Sequence, residues 1–497
     1  MRRIRGRSLY AGGGGPTLDP EYFLKAGVDA AFRGEGEEAL VEFVSALTEG
    51  DWRDCANISY RNGSKIVHNA MRPMIRDIDS LPFPLQNPRY FSCIECNQYF
   101  PRPMEKCGFQ IQSFLAVGDF SVMTSRGCLG KCAYCSTEGL RQAYKDTPGT
   151  PKMRTRSLGN VMQELLGAKE HGAHFISFWD DLLIRKTEQL VSFFSEYKEK
   201  IGLPFFAQFH PQQLQNSPEI IDAAVEAGIT QFYFGIQSGS PIFCKEIYHR
   251  NFFTDDYARL FSLIQNRQAD ILAQFIGANP LEKREHFEET LKFVASLPFD
   301  HTYTTSITII NYYLKYVPGS PLLQKYPELP SVPRSREAWF RDALLMDIRF
   351  IADDAAFDPI YAKYKDIGKY DDVMELREHR NEVYNRGFTE FFRPKIAKLE
   401  GQDVYFWGCG DLYHKNKEFL RGLNPKAILL DVPHSGPDVI DGIPVRHPSD
   451  VADKKPLPVI IFSGRPSYIF RKIRRDYPKL AKVIPCPHVL SNKLFEA

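Results

Sequence analysis

Three cysteines, Cys128, Cys132 and Cys135, lie within the stretch Thr124-Ser-Arg-Gly-Cys-Leu-Gly-Lys-Cys-Ala-Tyr-Cys-Ser136. Thiolates this closely spaced can hold three corners of an iron–sulfur cube and leave the fourth iron open. An open iron can bind a substrate or cofactor directly, whereas four cysteines would close the cluster for electron transfer. Gly127 and Gly130 make the loop pliable enough to wrap such a body, and Lys131 stands between two thiolates, where it could offset negative charge. A zinc knuckle or three buried thiols would use the same residues. Structural zinc, however, normally takes four protein ligands in pairs, and no fourth is obvious nearby.

The surrounding sequence, from about residue 119 to 325, alternates short apolar strands with amphipathic helices, the pattern of a parallel α/β fold. Strands are expected at Phe120–Thr124, Phe175–Trp179, Phe205–Phe209, Gln231–Gly235, Ile271–Ile276 and Thr304–Ile310. The last four are rich in the aromatic and β-branched residues that suit buried strands. Ser217-Pro218-Glu219 starts a helix that Gly228 ends, Thr254-Asp-Asp-Tyr257 opens another, and Leu291, Phe293 and Val294 mark the apolar face of a third. Such units make an incomplete barrel, a partial (β/α)6 arrangement.

In a parallel barrel the functional groups collect on one rim, where strands end and loops begin. The cysteine loop follows the first strand, Asp180-Asp181 the second, His210 the third, Gln237-Ser238-Gly239 the fourth and Gly277-Ala-Asn-Pro280 the fifth. Either aspartate could instead cap the segment from Leu182, and a lone histidine at a strand end is more often a scaffold residue.

The Cys-x3-Cys-x2-Cys spacing, with Tyr134 before the last cysteine, resembles the signature of the radical S-adenosylmethionine superfamily. The resemblance implies that the three thiolates hold a 4Fe-4S cluster whose open iron chelates S-adenosylmethionine. Reductive cleavage would then give a 5′-deoxyadenosyl radical that acts on an unactivated carbon. Further matches imply further contacts. Asp180 and Asp181 fall where the family keeps a motif for the methionine ammonium. Phe234-Gly-Ile-Gln-Ser-Gly239 is similar to Gly-Ile-Glu-Ser-Gly, which meets the ribose; Gln237 replaces the usual glutamate and Ser238 is retained. Phe275-Ile-Gly-Ala-Asn-Pro-Leu-Glu282, with Gly277, is similar to a segment backing onto adenine, and the Tyr134 carbonyl would lie near the adenine edge. Arg126 would bear on the cluster's charge or fix the loop. An electron donor such as flavodoxin or ferredoxin is implied, with a small-molecule substrate that the sequence does not name.

Residues 1–72 add a narrower resemblance. Gly12-Gly-Gly-Gly-Pro-Thr17, Leu24-Lys-Ala-Gly-Val-Asp29 and Phe32-Arg-Gly-Glu-Gly-Glu-Glu38 are similar to the final βα unit of the cobalamin-binding domain that precedes many such enzymes. The Asp-x-His-x-x-Gly segment that often supplies cobalt's lower ligand is absent, and no histidine occurs before His68. A strand and a helix alone cannot bury a sheet face, which favours a piece of a longer chain over a true remnant. Cobalamin-assisted methylation and hydrogen abstraction such as ring closure both fit.

Residues 73–118 are proline-rich and read as a connector, with Cys93, Cys96 and Cys107 as a conceivable second metal group. The core is expected over 119–325 and helices over 326–400. Residues 401–497 form a small Rossmann-like unit, whose Gly408-Cys-Gly410 turn carries two of three fingerprint glycines.

Composition is that of an ordinary globular protein of 497 residues. Sixty-three Lys and Arg against 61 Asp and Glu give a net charge of +2, too little to draw nucleic acid or an acidic membrane over long range. No run reaches the length of a membrane span, and ten cysteines without an apolar leader read as reduced thiols and metal ligands, so the cytoplasm is the expected compartment. The competing expectation is a non-catalytic scaffold stapled by zinc on the same cysteines.

Overall fold

The computed structural model describes residues 8–84 and 119–486, apart from 252–253, 432–437, 455, 464–465 and 481, with the backbone of 93–95 and 98–100. The side chains of Cys93, Cys96 and Cys107 lie outside the described residues.

Near the amino terminus, β1 (Tyr10–Ala11), β2 (Ala30–Phe32), β3 (Ile58–Asn62) and β4 (Lys65–His68) form one sheet in that order. The first pair is parallel and the others antiparallel. Helix α1 (Glu37–Glu49) buries Ala39 and Phe43 against this sheet, and Phe43 meets Tyr10, Phe32 and Trp52 edge-on. The sequence suggested only a strand and a helix. Asn62-Gly63, with Gly63 at φ +60°, turns the chain into a hairpin that widens the sheet enough to bury a face.

The central sheet runs β5 (Asp119–Val122), β8 (Phe175–Phe178), β9 (Phe205–Gln208), β10 (Ile229–Gln237), β11 (Asp270–Gly277) and β12 (Ile307–Tyr313), every pair parallel. A small antiparallel hairpin, β6 (Ser125–Gly127) with β7 (Met153–Thr155), branches off after β5. Among the described residues the edge strands β5 and β12 do not pair, so the barrel is partial.

Helices α2 (Ser136–Ala143) and α3 (Leu158–Glu170) lie between β6 and β8, and α4 (Thr187–Lys200), α5 (Glu219–Ala227), α6 (Thr254–Gln265) and α7 (Arg284–Ser296) separate the later strands. The spacing of apolar residues explains their packing. On α4, Leu190, Phe193, Phe194 and Tyr197 fall on one face, and Phe194 stacks on Phe205 of β9 at 5.4 Å. All nine residues of β10 are buried, which lets this strand outgrow the expected five. The sixth strand begins three residues late because Thr302, Thr304 and Thr305 fold round the Asp300 carboxylate instead of pairing.

Helices α8 (Arg336–Ile351), α9 (Asp354–Tyr364) and α10 (Tyr370–Phe391) pack beside β11 and β12, with a buried ion pair between Arg380 and Asp347 at 3.1 Å. Another six-stranded sheet follows, built from β13 (Asp403–Trp407), β14 (Asn424–Leu429), β15 (Val439–Ile440), β16 (Ile443–Arg446), β17 (Val459–Ile461) and β18 (Val483–Pro485), in the order β15-β16-β14-β13-β17-β18. Gly408, after β13, has φ +92°, and a Cβ there would meet the Phe462 carbonyl oxygen at 2.9 Å. Close packing alone accounts for that glycine.

Helix α11 (Pro466–Asp476) joins the two sheets' units. Ser467 Oγ donates to Asp270 Oδ2 at 2.6 Å at the start of β11, while Arg471 donates to the carbonyls of Gln268 and Ile229. Asp270 Oδ1 also accepts from Ser306 N at 2.7 Å, so one fully buried carboxylate ties β11, β12 and α11 together. Burial pushes this carboxyl up to about 6, against the pull of its Ser467 and Ser306 hydrogen bonds. Between the unfolded value and about 6 the native state therefore holds the extra proton, and this group favours the fold increasingly as pH falls through that window. Asp270→Asn should remove that dependence. In thermal melts, the variant's melting temperature relative to the parent is expected to be highest above pH 7 and to decline toward pH 4.5; a gap independent of pH would contradict the assignment.

Candidate functional site

Because all six central strands are parallel, their carboxy-terminal ends share one rim, and the polar loops named above meet there. The loop bearing Cys128, Cys132 and Cys135 makes few hydrogen bonds of its own. Gly130 N–H donates to Cys128 Sγ at 3.3 Å, and Cys135 N–H donates to the Cys132 carbonyl at 3.1 Å. A Cβ on Gly130 would stand 3.4 Å from Cys128 Sγ and 3.8 Å from Cys132 Sγ, so the glycine gives two thiols a shared open space.

The loop is held from outside. Ala133 N–H donates to the Tyr248 carbonyl at 3.1 Å, and the Ala133 carbonyl accepts from Leu322 N–H at 2.9 Å. All three thiols are partly exposed, and burial raises those of Cys128 and Cys135 above the usual thiol range. Among the described residues, no three His, Cys, Asp or Glu side chains are gathered as ligands of a single metal ion.

The two neighbouring aspartates separate in role. Asp180 is buried and turned away from the rim opening: its carboxylate accepts from Thr124 N–H at 3.0 Å, from Thr124 Oγ1 at 2.9 Å and from Ser125 Oγ. It thereby fixes the entry to the cysteine loop. Asp181 instead accepts from Thr137 Oγ1 at 3.0 Å, two residues past Cys135. Burial pushes both carboxyls up; hydrogen bonds from Ser125 and Thr124 oppose the rise at Asp180, and the Thr137 hydroxyl opposes it at Asp181.

At the end of β10 the register against β11 slips between Gly235 and Gln237, and Gln237 takes φ +76°. A Cβ on Gly235 would lie 2.3 Å from Gln237 Nε2, so this glycine makes room for the glutamine amide. Ser238 is buried and internally engaged, accepting from Ser240 N–H at 3.2 Å and lying 3.3 Å from Thr290 Oγ1. Gly277 faces outward, where a Cβ would meet the Asn311 side chain at 2.7 Å and Trp339 at 2.9 Å. Only its backbone is left for the rim. Burial lowers His210, as does the nearby Arg250 charge. Beside Ser238, burial and then the Asp342 carboxylate push half-buried Glu282 up to about 8.

Sequence reasoning missed Arg250. Its guanidinium reaches Cys132 Sγ at 3.8 Å, Tyr134 Oη at 3.1 Å, the Gly235 carbonyl at 2.6 Å and Tyr257 Oη at 3.2 Å. It thus connects the cysteine loop to β10. Tyr134 packs edge-on against Tyr248, with ring centroids 4.9 Å apart. The only sequence signal for Arg250 was a cation in the loop between two helices of the β10–β11 crossover.

Residues 122–294 match the Radical SAM superfamily model. This segment is a radical SAM domain. An uncharacterized methyltransferase of Pyrococcus horikoshii is 28% identical to the chain over 301 residues, covering 59% of this chain and 60% of its own length. The anaerobic magnesium-protoporphyrin IX monomethyl ester cyclase of Cereibacter sphaeroides is 24% identical over 276 residues, covering 53% of this chain and 40% of its own. Among solved structures, the radical S-adenosylmethionine methyltransferase TsrM of Kitasatospora setae, with cobalamin and a 4Fe-4S cluster bound, aligns at 15% identity with a TM-score of 0.45, over 63% of this chain and 56% of that one. The chain thus spans about 60% or less of the length of each of these relatives. The radical SAM domain begins at the end of β5 and takes in the cysteine loop, both aspartates, Gln237, Ser238, Arg250 and Gly277.

The aspartates can be told apart by experiment. Asp180→Asn leaves donors from Thr124 and Ser125 unmatched in a buried site and is expected to cost about 1–3 kcal/mol in denaturant unfolding. Asp181→Asn is expected to change stability by less than about 1 kcal/mol while weakening S-adenosylmethionine binding measured by equilibrium dialysis. Equal stability losses would contradict the division of roles.

Proposed function

We propose that the chain is a radical SAM enzyme in which Cys128, Cys132 and Cys135 hold a 4Fe-4S cluster and the polar strand ends facing them on the same rim hold S-adenosylmethionine. One observation carries this reading: three thiols on a single loop, with no fourth ligand among the described residues, open onto a rim of polar strand ends inside a radical SAM domain. The donor set suits a cube with one bare corner better than a tetrahedral zinc ion, which wants four protein ligands when structural. Such a cluster, when bound, supplies reductive cleavage of S-adenosylmethionine to methionine and a 5′-deoxyadenosyl radical able to take hydrogen from unactivated carbon.

The chain's own residues do the placing. Arg250 sets a fixed positive charge beside the Cys132 sulfur and offsets the negative charge of a thiolate there. Asp181 faces the loop and suits a cationic ammonium. The Gln237 amide, aimed by its left-handed backbone, suits ribose hydroxyls, with Ser238 behind it. The Tyr134 carbonyl and the Gly277 backbone suit the adenine.

Interior strand positions indicate what else enters. Above Asp270 they include Trp179, Phe206, Tyr233 and Tyr312, with the amides of Gln208 and Gln274; Trp179 packs edge-on against Phe206 at 5.1 Å. Such a lining suits an uncharged, flat substrate portion. Methyl transfer and ring closure are both represented among the relatives, and either fits. For cobalamin the described amino-terminal residues give the glycine turn and one histidine, His68, whose Nδ1 lies 2.8 Å from Ser59 Oγ. A flavodoxin- or ferredoxin-type donor would supply the electron. No helix among the described residues is long and apolar enough to cross a membrane.

Protein purified and reconstituted without oxygen is expected to be brown, to bind about four irons per chain, and to release 5′-deoxyadenosine from S-adenosylmethionine when reduced. Replacing all three cysteines by alanine should abolish all three properties. Colourless, zinc-loaded protein with no cleavage would overturn the reading in favour of a zinc-stapled scaffold.

A further inference from the structure

The hairpin leading into the cysteine loop contains a conflict of charge. The register of β6 with β7 sets Arg126 directly opposite Arg154. Like charges facing each other across paired strands oppose the pairing, and the Arg154 side chain is only 8% exposed, so water does little to screen it. The conflict is relieved from far upstream. Glu35, in the turn between β2 and α1, accepts from Arg126 Nη1 at 2.9 Å on Oε1, while Arg154 Nη1 lies 2.8 Å from Oε1 and 2.9 Å from Oε2, so one carboxylate serves both guanidinium groups. Glu37 accepts from Arg126 Nη2 at 2.6 Å.

Glu35 is itself fixed. Its carboxylate accepts from Ile75 N–H at 2.8 Å, and its own N–H donates at 2.8 Å to Tyr144 Oη, just past the helix that follows Cys135. Gly34 must lack a Cβ because the Tyr144 hydroxyl occupies that space. Two cations and two anions therefore balance, but each pair comes from a different part of the chain.

We propose that Glu35 is a positioning residue for the cysteine loop, making the loop's geometry, and through Arg126 the electron affinity of the bound cluster, depend on the amino-terminal unit. The electrostatic half rests on the reading of Cys128, Cys132 and Cys135 as cluster ligands; the geometric half does not. Without Glu35, Arg126 and Arg154 push β6 and β7 apart two residues before Cys128, and the one positive charge left unbalanced, with Glu37 still on Arg126, favours the more negative, reduced cluster. Coupling of this kind runs both ways, so loading the loop also steadies the amino-terminal unit.

The test uses the full chain with Glu35→Gln, Glu35→Asp and the charge-balanced double variant Glu35→Gln/Arg154→Gln. In hydrogen exchange on the cluster-free protein, Glu35→Gln is expected to speed exchange at residues 125–127 and 153–155 by roughly tenfold or more, while β9 to β11 stay as in the parent. The double variant should return to within about threefold of the parent, and Glu35→Asp should rescue in part. In potentiometric titration of the reconstituted protein, the reduced-to-oxidised ratio at a fixed potential should rise about threefold or more for Glu35→Gln and fall back in the double variant.

Exchange that is unchanged, or that rises equally throughout the chain, would overturn the positioning role. A loosened hairpin with an unmoved potential would overturn the electrostatic half. Should Glu35→Gln not fold, Glu37→Gln removes one of the two carboxylates on Arg126, leaving Glu35 in place, and is expected to shift the potential in the same direction. If the parent takes up no iron, the cluster reading fails, while the exchange measurements still decide whether the coupling exists.

Discussion

A loop whose backbone is mostly turn cannot hold three sulfur atoms in place by its own hydrogen bonds. That constraint organises the rest of the molecule. The cysteine segment has few internal hydrogen bonds, and its position comes also from Asp180 at its entry, from the backbone links of Ala133 to Tyr248 and Leu322, from Arg250 at Cys132 and from Glu35 through Arg126. These anchors come from the end of β8, the β10–β11 crossover, the segment after β12 and the amino-terminal unit. A site assembled in this way is accurate only when the whole barrel is folded, because its anchors are strand ends and loops placed by several different strands.

The parallel core was legible because its strands are short, aromatic and β-branched and because each is followed by a helix with clear punctuation. The expected glycine stop at Gly228, for example, is present at φ +106°. The rim argument placed the polar loops on one end for the same reason. Less was legible where the deciding partner is remote in sequence. Nothing local distinguishes Asp180 from Asp181; in the loop after β8 one meets Thr124 and the other Thr137. Arg250 and Glu35 have ordinary sequence surroundings, and their importance lies in contacts 118 and 91 residues away. The Asn62-Gly63 turn, by contrast, was a readable hairpin signal whose consequence for the first sheet was not drawn.

Two glycines of the motif regions serve packing more than ligand contact. Gly277 leaves space for Asn311 and Trp339, and Gly408 for the Phe462 carbonyl. Gly235 is different, since the space it vacates holds the amide of Gln237, a residue already held in the left-handed region. Strain and vacancy together aim one polar group at the rim, which is where unfavourable backbone geometry tends to be retained.

Helix α11, with Ser467 on Asp270 and Arg471 on two strand-start carbonyls, stoppers the lower end of the barrel. The far end of the sheet is thereby tied down at the starts of β10 and β11, so a small molecule reaching the cysteine rim comes from the opposite end or through the unpaired edge between β5 and β12.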